Sequence, residues 1–140
     1  MSFDLDSAYL DVDVIDAGRW IPLGADFPGV EIHACGLSSE GAKELFDRLS
    51  REAPREDRHV NGILTDEASS RIIRKVILEK CLKDWRGFAS GGKPVPYAKK
   101  TAEGLLTERK ARLIANAFVN AIMAIDGTRV TIDVEGVEKN

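Results

Sequence analysis

The chain has 140 residues, 44% of them hydrophobic and 31% charged, with a net charge of −3. That suffices for one compact domain with its own core, and it excludes a disordered composition. A mildly acidic chain has no overall field to draw it to nucleic acid or to an anionic membrane. No apolar run approaches a membrane span, and "MSFDLDSAYL" is acidic where a signal peptide is basic, so the expected location is cytoplasmic.

The first third reads as β. Leu10, Val12 and Val14 alternate with Asp11 and Asp13, the period of a half-buried strand. A turn at Asp16-Ala17-Gly18 leads to a partner strand over Arg19 to Leu23, which Pro22 places at a sheet edge. Val30, Ile32 and Ala34 then alternate with Glu31, His33 and Cys35 as a third strand. From Ser38 the period becomes helical, with Ala42, Leu45, Phe46 and Leu49 on one face and Ser38 or Ser39 as cap. Thr65 caps a second helix whose apolar line runs Ile73, Ile77, Cys81, Trp85, with Ile72 and Val76 outside that line. A helix apolar beyond one face meets two neighbours or a second subunit. A short helix is expected over Lys99 to Leu106. A fourth, capped by Thr107, runs to Ile125 with Leu113, Ile114, Phe118 and Ile122 on its apolar face. The expected fold is therefore α+β: a small antiparallel β-hairpin or sheet at the N-terminus, then a bundle of about four helices. It forms a single domain over 1–140, β-rich over 8–36 and helical over 38–126, with a short strand (Val130, Ile132, Val134) or a tail over 127–140.

The stretch Gly87-Phe-Ala-Ser-Gly-Gly92-Lys93 fits the first seven positions of the phosphate-binding loop G-x-x-x-x-G-K-[ST]. Such a loop needs a buried strand before it and a hydroxyl at a helix start after it. Here the lead-in reads as a lysine-studded helix, and Pro94 stands where the hydroxyl should be. The segment is better read as a Gly91-Gly92 turn followed by an extended Pro-Val-Pro-Tyr, bracketed by Trp85, Phe88 and Tyr97. Cys35 and Cys81 read as small buried hydrophobes and not as a disulfide. With His33 and His59 the only histidines, neither a metal site, a cofactor nor a catalytic constellation is expected.

Trp85-x-Gly87 and Gly92-Lys93-Pro94-Val95-Pro96-Tyr97, followed by a helix containing "EGLL", resemble the tail assembly chaperones and related minor tail-region proteins of tailed bacteriophages. "PGVEIHACGLSS" and "LTDEASSRIIRKVILEKCLKDW" extend the resemblance to roughly residues 10–125. Ala98 departs from it, standing where such proteins often carry a helix-capping Ser or Thr. Trp85, Gly87, Gly92, Pro94, Pro96 and Tyr97 then form a structural motif. The resemblance implies a non-enzymatic protein of the bacterial host cytoplasm. It would bind the tape measure protein, keep its apolar helices in solution, and assist polymerisation of the tail tube protein. The spare apolar positions Ile72, Val76, Val119 and Met123 are the candidate protein-binding residues, since a helical client is read at helical spacing. A virion-resident structural component of the tail or head–tail region is the alternative. Nucleic-acid binding through Arg71, Arg74, Lys75 and Lys80, with Lys99, Lys100, Arg109, Lys110 and Arg112 further on, is the weaker rival, because acidic residues intersperse these charges. Self-association is a further partnership to consider.

Overall fold

The structure, a computed structural model, describes residues 1–130. The strand expected through Ile132 and Val134 lies outside them. The fold is α+β. In chain order the regular elements are α1 (Val12–Ala17), β1 (Arg19–Pro22), β2 (Glu31–Ala34), α2 (Glu40–Glu52) and α3 (Asp66–Val76). A π-turn over Ile77–Cys81 then leads into β3 (Leu82–Arg86), the two-residue strands β4 (Ala89–Ser90) and β5 (Lys93–Pro94), α4 (Lys99–Thr107) and α5 (Arg112–Asp126).

Two expectations about the sheet are corrected. Leu10 to Val14 is not a strand. Asp11 accepts a hydrogen bond from the Val14 N–H at 3.2 Å, and Asp13 sits in the first turn, so the Asp-Val alternation opens a helix instead. Gly18, at φ 84°, ends it, and a β-carbon there would meet the Ala34 carbonyl. The third strand is β3, cut from the end of the expected second helix. The sheet runs β1-β2-β3, all antiparallel, with Ile21 opposite Ile32 and Ile32 opposite Trp85. β1, with Pro22, is an edge as expected.

The helix expected to reach Trp85 stops at Val76 because of what must be buried. Val76, Ile77, Leu78, Cys81, Leu82 and Trp85 are all inside, more than one helical stripe can hold. The π-turn, closed by the Leu82 N–H on the Ile77 carbonyl, lets the chain leave the helix and enter the sheet, where β2 takes up its backbone groups.

Trp85 is the hub on which the C-terminal elements pack. Its ring lies edge-on to Phe88 and Tyr97, with centroids at 5.2 and 5.0 Å, and stacks at 6.2 Å on Phe118 of α5. Its indole N–H donates to the Val95 carbonyl at 2.8 Å. Gly91 (φ 58°) and Gly92 (φ 79°) turn β4 back on β5, the two positive φ values that a tight hairpin with the right twist demands. The connection is thus a hairpin from strand to helix, not a link between helices. Lys93 is paired in that hairpin and exposed, and no helix opens on it, since the next one begins at Lys99. Gly87, at φ 98°, passes so close to Gly29 that a β-carbon would overlap its carbonyl.

The helices pack on the inner sheet face, with Phe118, Ile122 and Ile125 of α5, Leu106 of α4, Ile77 and Ile32 fully enclosed. Thr65 caps α3, accepting from the Ala68 N–H at 3.2 Å. Two other expected caps are corrected. Thr107 lies in the last turn of α4, its hydroxyl donating to the Glu103 carbonyl, and α5 starts at Arg112 with Ala111 before it and no side-chain cap. Ser39 precedes α2, but its hydroxyl donates to the Gly36 carbonyl, and Asp16 accepts from the Glu40 N–H instead. At the other end of α2, Arg58 donates to the carbonyls of Ser50, Arg51 and Ala53. On the outer sheet face the Arg86 guanidinium lies 4.1 Å over the Trp20 ring and binds Glu31 at 2.8 Å.

Trp85→Ala is therefore expected to lower stability by about 3–5 kcal/mol, and Gly87→Ala by more than the ~1 kcal/mol of an ordinary backbone effect. Lys93→Ala should leave the urea midpoint unchanged. A midpoint that moves with Lys93 and not with Trp85 would contradict the role given to this hub.

Candidate protein-binding site

The four apolar positions singled out from sequence fall in different places. Val76 is corrected: at 0% exposure it belongs to the core and can touch no partner. Its position off the apolar line signalled a second buried side, because α3 is covered by α2 and α4 as well as by α5. Ile72 is half-buried and lines an open groove of about 650 Å³ between α2, α3 and α4. Leu49, Ala53 and Pro54 form one wall, Leu78 and Leu106 close the floor, and Glu52, Glu67, Lys75 and Glu103 stand around it. Arg71, also at the groove, is tied to Asp57 at 3.4 Å.

Val119 is half-buried in a smaller recess of about 320 Å³ between α3 and α5, with Ile73, Arg74, Asn116 and Asn120. Met123 is 56% exposed on the outer side of α5. Leu113, expected on the apolar face of that helix, is also outside, at 72%. Ile72, Val119 and Met123 do not share a site. Leu49 of the wall and Leu106 of the floor, missed from sequence as site residues, lie more than fifty residues apart in the chain, and only the tertiary fold brings them to Ile72.

The motif residues Trp85, Gly87, Gly92, Pro94, Pro96 and Tyr97 build the strap around the Trp85 ring. The Tyr97 hydroxyl is pushed up from its ordinary pKa, chiefly by burial. His33 stands on the outer sheet face, its ring edge-on to Trp20 at 5.4 Å, and His59 is exposed in the loop before α3. Among the described residues no group of three or more His, Cys, Asp or Glu is placed to hold a metal ion, and no helix is long and apolar enough to cross a membrane. Cys35 and Cys81 are both buried free thiols.

The result is an α+β fold that carries, among several surface recesses, an apolar groove with a charged rim. Residues 37–128 match the family model of the YdaY prophage protein, and the chain belongs to that family. The protein is thus phage-derived. The matched span holds the groove, α5 and the whole Trp85 strap, whereas β1 and β2 lie before it. No curated protein and no solved structure matches the chain.

Burial pushes the Cys81 thiol up to about 12, and burial also raises Cys35, which borders a surface cleft beside Lys80 and Lys83. Since the thiolate is the nucleophile, Cys81 should stay silent to a disulfide reagent at pH 8 in the native protein, with Cys35 reacting slowly. Both should titrate at once in denaturant. Two fast thiols without denaturant would contradict this packing.

Proposed function

We propose that the protein acts in phage tail assembly as a non-catalytic chaperone. Its groove between α2, α3 and α4 receives an apolar helical segment of the tape measure protein, and the tail tube protein is a second client. The observation that carries this reading is the groove itself. Leu49, Ala53, Pro54 and Ile72 give it apolar surface within reach of solvent, Leu78 and Leu106 close it from below, and its rim carries both signs of charge. A client helix presents apolar side chains at i, i+3 and i+4, and about 650 Å³ holds several of them. The family's prophage origin and the resemblance of Trp85-x-Gly87 and Gly92-to-Tyr97 to tail assembly chaperones support the same reading. Retention in the virion as a structural tail component would use the same groove.

Co-expression tests it. The tape measure protein should remain in the soluble fraction with the wild-type chain and precipitate with Ile72→Asp, whose own thermal unfolding should be little changed. Val76→Asp is the contrasting control: it buries an unpaired carboxylate and should unfold the domain. Client binding should hardly change between about 50 and 200 mM salt, because apolar burial lacks the counterion-release slope of DNA binding. A tape measure protein that stays insoluble, together with DNA binding of steep salt dependence, would replace this function with nucleic-acid binding.

A further inference from the structure

Between its two ends the outer face of α5 carries no charge. From Leu113 to Ile125 there is not one Asp, Glu, Lys or Arg, in a chain that is 31% charged. The inward side of that stretch needs none: Ala115, Phe118, Ala121, Ile122 and Ile125 are buried. The outward side is different. Leu113, Asn116, Asn120 and Met123 succeed one another at helical spacing opposite the buried stripe, and all four are exposed. Solvated helix faces ordinarily carry charges, whereas loss of charge around apolar anchors marks the centre of a protein interface.

The two ends of this face differ in sign. At its start Arg109, Lys110 and Arg112 are exposed, with Glu108 as the local counter-charge to Lys110. They surround a helix N-terminus that has neither a side-chain cap nor an acidic residue, an arrangement opposed to the helix dipole. At its far end lies the N-terminal segment, tied to the helix exit by the Asp11 N–H on the Thr128 carbonyl (2.8 Å) and the Val130 N–H on the Tyr9 carbonyl (2.9 Å). Residues 1–16 contain five Asp and no Lys or Arg. Leu10 and Val12 are exposed there, and Arg129 is the basic residue beside them. The face is basic at one end, neutral and apolar along its length, and acidic at the other.

We propose that this face binds a second copy of the chain, α5 against α5 and antiparallel. Laid that way, Leu113 meets Met123 of the second copy, Asn116 meets its Asn120, and each basic end meets an acidic one. Both copies use the same patch, so the assembly closes as a two-fold pair. A parallel arrangement would set like charges together at both ends. Charge complementarity therefore selects both the partner and its direction. The groove beside Ile72 is on other helices and stays open in the pair.

Sedimentation of the full chain tests this. The mass should rise to twice the monomer with concentration at low salt, and the affinity should weaken as salt screens the ends. Leu113→Glu and Met123→Glu should each raise the dissociation constant by on the order of tenfold or more with unfolding temperature preserved, since both side chains are exposed. Arg109→Glu with Arg112→Glu should give a monomer, and so should Asp6→Lys with Asp13→Lys. An equimolar mixture of the two should dimerise, because each altered end then faces its opposite. Ile72→Asp should leave the pair intact. A chain monomeric at all concentrations and salts overturns the proposal, as does a dimer indifferent to Leu113→Glu or a mixture that stays monomeric. Loss of tape measure binding on Leu113→Glu in a chain that never dimerises would assign the face to the client instead.

Discussion

Trp85 brings into the interior a large ring that also carries an N–H, and both demands have to be met inside a small domain. The ring is met by Phe88, Tyr97 and Phe118, and the N–H by the Val95 carbonyl. An unpaired indole N–H in that position would forfeit roughly 1–3 kcal/mol, so the Val95 carbonyl has to come back to the tryptophan within ten residues. The Gly91-Gly92 hairpin is the device that returns it, and Pro94 and Pro96 keep the returning strand extended. The position of α4 follows from where that strand ends. Through Phe118, so does the seating of α5. Sheet, hairpin and both C-terminal helices are thus registered on one side chain.

The same constraint explains which parts of the fold are legible in the sequence. A helix with one clean stripe, such as α2, can be read from spacing because its burial is one-sided, and the start of α3 can be read from its Thr65 cap. β1 and β2 are legible for the corresponding reason, their two faces differing along a period of two. The junction from Val76 to Trp85 is not. Its apolar positions continue a helical pattern with Glu79, Lys80, Lys83 and Asp84 exposed between them, and so short an apolar run looks alike as helix or strand. The stretch from Leu10 to Val14 fails in the opposite way. Two aspartates that look like the wet side of a strand are a helix cap and a first-turn charge.

The candidate site divides along the same line. Ile72 can be found because it departs from its helix's stripe, a purely local signal. That signal does not distinguish a residue facing solvent from one facing a second neighbour, and so Val76 carries it too. Leu49 reads in the sequence only as part of its helix's apolar face, and Leu106 only as the end of a short helix. The groove they form with Ile72 exists because the core fixes α2 and α4 on either side of α3.

Asp126, at the end of α5, accepts hydrogen bonds from the backbone N–H and hydroxyl of Ser38, 88 residues earlier, both at 2.8 Å. Gly36, beside that junction, has no room for a β-carbon because the Asp126 carboxylate occupies the space. This contact has a bearing on synthesis. A ribosome adding about 5–20 residues per second takes roughly 4 to 18 seconds to travel from Ser38 to Asp126. Throughout that interval the inner faces of β2, α2 and α3 have no α5 to cover them. The chain therefore passes through a stage in which its own apolar faces are uncovered, and its last helix ends that stage.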